Sequence, residues 1–150
     1  MKINIQAPLV ARNEIIIQTP PEEVWKILTD IDNWNKWQPG VVRAKLNGPL
    51  ATHSVFHWKS GGLKITSTLQ VVEPNRQIGW TGKALGTKAR HLWVLKPYKN
   101  GTQVMTEESM DGWLAGIIKL VRPGFLEDSL KKTLKNLREK SETETRVVRK

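Results

Sequence analysis

Glu108 and His91 are the side chains of this chain best suited to moving a proton, and the turn between them sets where both point. Asn100-Gly101 fits a two-residue hairpin turn in which both residues take positive φ. That turn predicts Lys99 opposite Thr102, Leu95 opposite Thr106, Trp93 opposite Glu108 and His91 opposite Met110. Glu108 then lies diagonal to His91 on the inward face, at a separation long side chains bridge. A carboxylate and an imidazole so placed form an acid-base pair, or an anchor for the polar group of a ligand. Two other readings stay open: Glu108 pairs with a basic side chain at a rim, or a one-residue slip turns it to solvent. His91 equally reads as a satisfied core histidine.

Other chemistry finds little support in the residue pattern. The absence of cysteine removes disulfides, thiolate nucleophiles and Cys-based metal sites. His53 and His57 alternate with Val55 on the outer face of a strand, so they do not join His91 in a three-histidine zinc site, and no metal is expected. Gly79-Trp80-Thr81-Gly82-Lys83-Ala84 has the wrong glycine spacing for a phosphate loop and no Ser or Thr after the lysine. No G-x-S-x-G elbow, H-E-x-x-H or G-x-G-x-x-G motif is present, and no cofactor is expected.

The elements that must hold Glu108 and His91 follow from hydrophobic period. Asn13 to Gln18 is a β-branched run that predicts a first strand. Thr19-Pro20-Pro21-Glu22 has the form of a capping box, with Thr19 as N-cap, and Val24, Ile27, Leu28 and Ile31 then recur at helical spacing. Asp30 or Asp32 caps a second short helix carrying Trp34 and Trp37, which Pro39-Gly40 ends. From Val41 the period switches to two: Val41 to Leu46, Ser54 to Lys59, Leu63 to Val72, Gln77 to Gly82, Lys88 to Lys96 and Gln103 to Met110 predict six more strands. Gly61-Gly62, Pro74-Asn75 and Asn100-Gly101 are hairpin turns, so the sheet is antiparallel. One apolar stripe from Leu114 through Ile117, Ile118 and Val121 to Leu137 predicts a long final helix, kinked or broken at Pro123-Gly124.

Alternation also assigns the inward side chains. Phe56 and Trp58, then Leu63, Ile65, Leu69 and Val71, then Ile78 and Trp80 point inward on successive strands, followed by His91, Trp93, Leu95, Val104, Thr106, Glu108 and Met110. Seven tryptophans over-fill an ordinary sheet-on-helix core but suit a cavity wall, where a ring borders space and its N-H meets a ligand. Trp25, Trp80 and Trp113 read first as core fillers, and Trp37, Trp58 and Trp93 equally as core or lining. The expected ligand-contacting set is Trp37 from the second short helix, Phe56, Trp58, Ile65, Leu69, Trp80, His91, Trp93, Thr106, Glu108 and Met110 from the sheet, and Ile117 and Val121 from the final helix.

The 150 residues suit one domain, with a core over about residues 13–140 and a flexible basic tail over 141–150. Met1 to Arg12 lacks the apolar run of a signal peptide and no run is long enough to span a bilayer, which gives a cytoplasmic expectation. The net charge is +10, half of it in the last twenty residues and half between Thr81 and Asn100. Charge split in this way reads as a solvated surface, with no specific nucleic-acid partner and at most a weak contact of the C-terminal segment with an anionic membrane.

Trp34-x-x-Trp37-x-Pro39-Gly40, Trp58-x-x-Gly61-Gly62, His91-x-Trp93, Gly101-Thr102-x-Val104 and the run from Glu107-Glu108 to Gly112 before a long helix resemble the polyketide cyclase/dehydrase-like branch of the START/Bet v 1-like (SRPBCC) superfamily. The resemblance runs from about Asn13 to Lys140. It implies an α+β helix-grip fold: a curved seven-stranded antiparallel sheet, two short helices and a long C-terminal helix enclosing a hydrophobic cavity. It also implies a binding or carrier protein for a small hydrophobic ligand such as a lipid, isoprenoid or polyaromatic compound. The alternative is a cyclase or dehydratase using the same cavity, and a third reading is a basic RNA- or membrane-surface-binding protein.

Overall fold

Residues 1–149 are described by the computed structural model; Lys150, the last residue of the expected tail, lies outside them. Strand β1 (Leu9–Ile17) leads into α1 (Pro21–Thr29) and a 3-10 helix (Ile31–Lys36). Six strands follow: β2 (Val41–Asn47), β3 (Val55–Ser60), β4 (Leu63–Glu73), β5 (Gln77–Ala84), β6 (Thr87–Tyr98) and β7 (Gly101–Asp111). Two helices, α2 (Trp113–Val121) and α3 (Phe125–Arg149), end the chain. The strands form one curved antiparallel sheet in the order β1-β7-β6-β5-β4-β3-β2, the helix-grip arrangement. β1 starts at Leu9 rather than at Asn13, because all of Leu9–Ile17 finds partners along Thr102–Met110 of β7.

The β6–β7 hairpin turns at Lys99-Asn100, not at Asn100-Gly101. Tyr98 pairs with Gly101, and Lys99 takes φ 53°. Gly101 belongs to the strand because a Cβ there would run into the carbonyl oxygen of Ile17, so glycine serves the close approach of β1 and not the turn. The expected register therefore moves by two residues: Trp93 faces Thr106, Leu95 faces Val104, and His91 faces Glu108 directly. A shift of two preserves parity, so the inward set of β6 and β7 is unchanged; on β4 a bulge after Leu69 turns Val71, expected inward, to the outer face opposite Gly79.

Paired residues share a face, and the registers draw inward rows across the sheet. One row is Ala11, Glu108, His91, Trp80 and Leu69; the next is Leu9, Met110, Ala89, Gly82, Ser67 and Phe56. Aromatic rings fill much of the space above them. Trp34, fully buried, lies 5.4 Å from Phe56, 5.3 Å from Trp58 and 5.4 Å from Trp80 between ring centres. Its Nε1 donates to the Leu28 carbonyl at 2.9 Å, which ties the 3-10 helix to α1.

The expected capping box does not form. Pro20 is the N-cap, no side chain caps the helix, and the Glu23 and Val24 amides donate to the Pro20 carbonyl. Thr19 is fully buried and used elsewhere: its carbonyl accepts from Thr102 Oγ1 at 2.7 Å, and its hydroxyl accepts from Thr145 Oγ1 at 3.2 Å. Neither Asp30 nor Asp32 caps the 3-10 helix by its side chain. Asp32 instead binds β2, accepting from the Leu46 amide at 2.8 Å and from Lys45 Nζ at 3.1 Å.

The apolar stripe breaks at Pro123-Gly124 into α2 and α3, as the proline dictates. α3 packs mainly along β1, with further contacts to α1 and β7. Leu126 and Leu130 meet Leu9, Ala11 and Ala115, and Leu134 and Leu137 join the main core. The expected frayed tail is helical through Arg149. Ser141 is fully buried, the Gln18 amide donates to Glu142 Oε2 at 2.9 Å, and Thr145 reaches Thr19, so the tail has partners that its composition does not reveal. Among the described residues no helix is long and apolar enough to cross a membrane.

Two consequences are measurable. Gly101→Ala forces the Ile17 backbone aside and should cost about 1–3 kcal/mol in urea unfolding, more than Gly61→Ala, where a Cβ meets open space and only the positive φ opposes it. The Leu46 amide, and then the Lys45 ammonium, hold the Asp32 carboxyl below its ordinary value. A lowered pKa gives stability that is complete above the ordinary carboxylate range and lost as pH falls through the folded value. Asp32→Asn should therefore lower the urea midpoint at neutral pH, with the difference closing in strong acid.

Candidate functional site

Direct pairing of β6 with β7 brings His91 Nδ1 to 3.2 Å from Glu108 Oε1, with side-chain exposures of 11% and 17%. The other ring nitrogen, Nε2, lies 2.8 Å from Thr106 Oγ1, and that hydroxyl donates to the Leu92 carbonyl at 3.2 Å. With its one hydrogen committed to Leu92, Thr106 accepts from Nε2–H. The Nδ1–Oε1 contact then needs one proton, carried by either the ring or the carboxyl. Two heavy atoms sharing a proton at the edge of an apolar surface can hold a polar group of either hydrogen-bonding sense, or pass a proton to one.

Aromatic rings surround the pair. Trp80 lies 5.0 Å from the His91 ring, and Trp93 stacks on it at 5.4 Å. The Trp93 Nε1 is buried with no hydrogen-bond partner among the described residues, an unused donor beside His91. Beside the Glu108 row runs a strip of small residues, Ala89, Gly82 and Ser67, between Met110 and Phe56. Ser67 and Gly82 are buried, and Ala89 is half-buried. Trp58 donates from Nε1 to Ser67 Oγ at 3.0 Å and borders one end. At the other end Ala89, Glu108 and Met110 are half-buried, beneath the half-buried Leu114 and Ile118 of α2, which lies over β1, β7 and β6.

The expected ligand set divides. His91, Trp93, Thr106, Glu108, Trp80 and Met110 come together on the inner face, with Phe56 and Leu69 buried behind them and Trp58 and Ile65 half-buried at the far end. Trp37 is buried at the end of the 3-10 helix, where its carbonyl accepts from Asn136 Nδ2 at 2.9 Å and its Nε1 has no partner among the described residues. It lines a separate cleft of about 210 Å³ with residues of α1 and α3. Ile117 and Val121 do not line the interior: both are exposed, at 47% and 77%, because α2 turns Ala115 and Ile118 to the sheet. Trp113, expected in the core, is 63% exposed on the same outer side.

Trp58 and Ile65 also border a cleft of about 310 Å³ at the β2–β4 edge, beside Arg43, Lys45 and Lys64. His57 lies exposed there with Nδ1 3.2 Å from Thr66 Oγ1, while His53 sits in the preceding turn at φ 78° rather than on the strand. Neither of these two clefts joins the whole expected lining. The small strip is what residue-by-residue reading of the sequence missed. Its signal was present: Gly82 and Ala89 share the inward parity of Trp80 and His91.

A family model described as polyketide cyclase/dehydrase and lipid transport matches residues 9–142. The fold is similar to that of a hypothetical protein from Helicobacter pylori, 18% identical, covering 91% of this chain and 90% of that one with a TM-score of 0.81. It is similar also to the Zhui aromatase/cyclase of a Streptomyces species, 14% identical over 89% and 93% of the two chains with a TM-score of 0.75. A START superfamily protein from Mycobacterium smegmatis is 16% identical over 87% and 97%, with a TM-score of 0.69. No curated protein matches the chain in sequence. At these identities the structural likeness shows the fold.

Thr106→Val keeps the shape of the side chain but removes the oxygen that faces His91 Nε2. The buried ring nitrogen is left without a partner, and the variant should unfold at lower urea with a loss of about 1–3 kcal/mol.

Proposed function

The chain belongs to the polyketide cyclase/dehydrase and lipid transport family, and from that premise we propose that it binds and carries a small hydrophobic molecule, a lipid, isoprenoid or polyaromatic compound, against the inner face of its sheet. The observation that carries the proposal is the His91–Glu108 pair, half-shielded at 3.2 Å among aromatic rings and next to a strip of small residues. An apolar body lies along Ala89, Gly82 and Ser67, between Trp58 and Met110. Its polar end meets Glu108, His91 and the free Trp93 N–H. The protein acts as one domain around this site.

The shared proton of the pair supports a second reading from the same geometry. A flexible substrate held in a bent shape on the strip presents an acidic C–H or a hydroxyl to Glu108 and His91, which take and return the proton in a cyclisation or dehydration. Binding would supply most of the rate by fixing the substrate's conformation.

Mass spectrometry of the small molecules released when the purified protein is denatured tests both readings. A carrier yields a stoichiometric apolar compound. Ala89→Leu, which fills the strip, should purify empty while its thermal midpoint stays close to that of the wild type. Glu108→Gln should weaken retention of a polar-headed ligand about tenfold, the loss of one charge-assisted hydrogen bond. In the enzymatic reading the same variant keeps its substrate and loses turnover. Full occupancy in Ala89→Leu, or a wild-type protein that neither carries nor takes up any apolar compound, would falsify the site.

A further inference from the structure

α2 is apolar nearly all round: of its nine residues only Lys119 is charged. Helices of that kind are normally buried. This one buries Ala115 against Leu9, Ala11, Leu126 and Leu130, and leaves a second apolar stripe in water, with Trp113 63%, Ile117 47%, Leu120 84% and Val121 77% exposed. The four sit at i, i+4, i+7 and i+8, on one side of the helix. The β5–β6 turn extends the patch. Leu85 is 72% exposed, and Gly86 lies so close to Trp113 that a Cβ there would stand 2.8 Å from the indole.

Unpaired positive charge surrounds this end of the molecule. Lys83 and Lys88 flank the same turn and face each other across β5 and β6, both exposed and on the outer face. The outer rows continue the pattern, with Lys59 opposite both Arg43 and Lys64. Like charges directly opposite oppose strand pairing, so the arrangement weakens the sheet that carries it. Among the described residues Arg43, Lys59, Lys64, Lys83, Lys88 and Lys119 form no ion pair. Asp111, opposite Lys88, turns its carboxylate to Asn4 Nδ2 at 3.0 Å, and Asp128 takes Arg122 at 3.8 Å.

We propose that this end, the outer stripe of α2 with Leu85 and the lysines around it, docks on an anionic lipid surface. Trp113, Ile117, Leu120, Val121 and Leu85 enter the boundary between headgroups and acyl chains, and the lysines meet anionic headgroups. Charge complementarity decides the occupant. A second copy would bring an equally positive rim against this one. A nucleic acid would use the lysines but leave four exposed aliphatic side chains without a role, since they offer no face on which bases stack. The docking surface is also distinct from the basic stretch of α3, and it does not depend on what the inner face holds.

Flotation with vesicles of phosphatidylcholine, and of phosphatidylcholine with about one-third phosphatidylserine, reads the proposal directly. Wild-type protein should float with the anionic vesicles only, and about 0.5 M salt should release most of it. The double variant Leu120→Ser/Val121→Ser should bind at least about tenfold more weakly. Lys83→Glu/Lys88→Glu should lose the preference for phosphatidylserine. Lys132→Glu/Lys135→Glu on α3 should float like the wild type. All three pairs are surface residues, and circular dichroism should show unchanged melting. The proposal is overturned by an absence of flotation, by a serine variant that binds like the wild type, by loss confined to the α3 variant, or by a dimer that the serine variant abolishes.

Discussion

Gly101 enters β7 so close to the Ile17 carbonyl that no side chain fits between them, and this contact sets the register of three strands at once. With Gly101 held against the end of β1, Tyr98 must pair with it, and the Lys99-Asn100 turn follows. Counting from there puts His91 opposite Glu108 and Ala11 opposite the same carboxylate on the other side. The same corner fastens the helices. Thr102 holds the Thr19 carbonyl, Thr145 from near the end of α3 donates to the Thr19 hydroxyl, and the Gln18 amide reaches Glu142. First strand, last strand and last helix thus meet in one buried knot of threonines, and the proton-sharing pair lies six residues along β7 from it.

The inner face shows two different uses of side-chain volume. Around Trp34 the rings of Phe56 and Trp58 pack edge to face and that of Trp80 at a tilt, which fixes the 3-10 helix over β3 and β5. Between this cluster and the β7 edge, Ser67, Gly82 and Ala89 keep one row low. A Cβ on Gly82 would come within 3.0 Å of Ser67 Oγ, so the row is low because its neighbours already use the room at that end. At the other end Ala89, Glu108 and Met110 remain half-buried under α2. The polar pair therefore sits where the packed aromatic region gives way to an accessible one.

Charge is distributed by the same geometry. Arg43, Lys59, Lys64, Lys83 and Lys88 are spread through the sequence, and cross-strand pairing gathers them on the outer face at the end that carries the β3–β4 and β5–β6 turns and α2. The basic residues of α3 stand apart. Lys131 and Lys140 are paired with Glu127 and Glu144 one helical turn away, a local arrangement that neutralises part of that helix. By segment, Thr81 to Asn100 and the last twenty residues carry equal net charge, whereas pairing in space leaves the sheet end more exposed in its charge.

Much of the architecture was determined by sequence alone, because period and punctuation are local. Alternation fixed which side chains of β3 and β5 to β7 face inward, and those of β4 as far as the bulge after Leu69, and Pro123-Gly124 fixed the break between α2 and α3, since a residue's face follows from its own backbone and its nearest neighbours. Parity survived even a wrong turn, because a shift of two residues cannot change a face. What the tertiary structure decided depends on contacts between distant segments. The opposition of His91 and Glu108 needed Ile17 next to Gly101; the loss of the capping box needed Thr102 and Thr145 beside Thr19; the helical end of α3 needed Gln18 and Thr19. The two sides of α2 are equally apolar, so its sequence carries no preference between them, and only its packing on β1, β7 and β6 chose which one faces water.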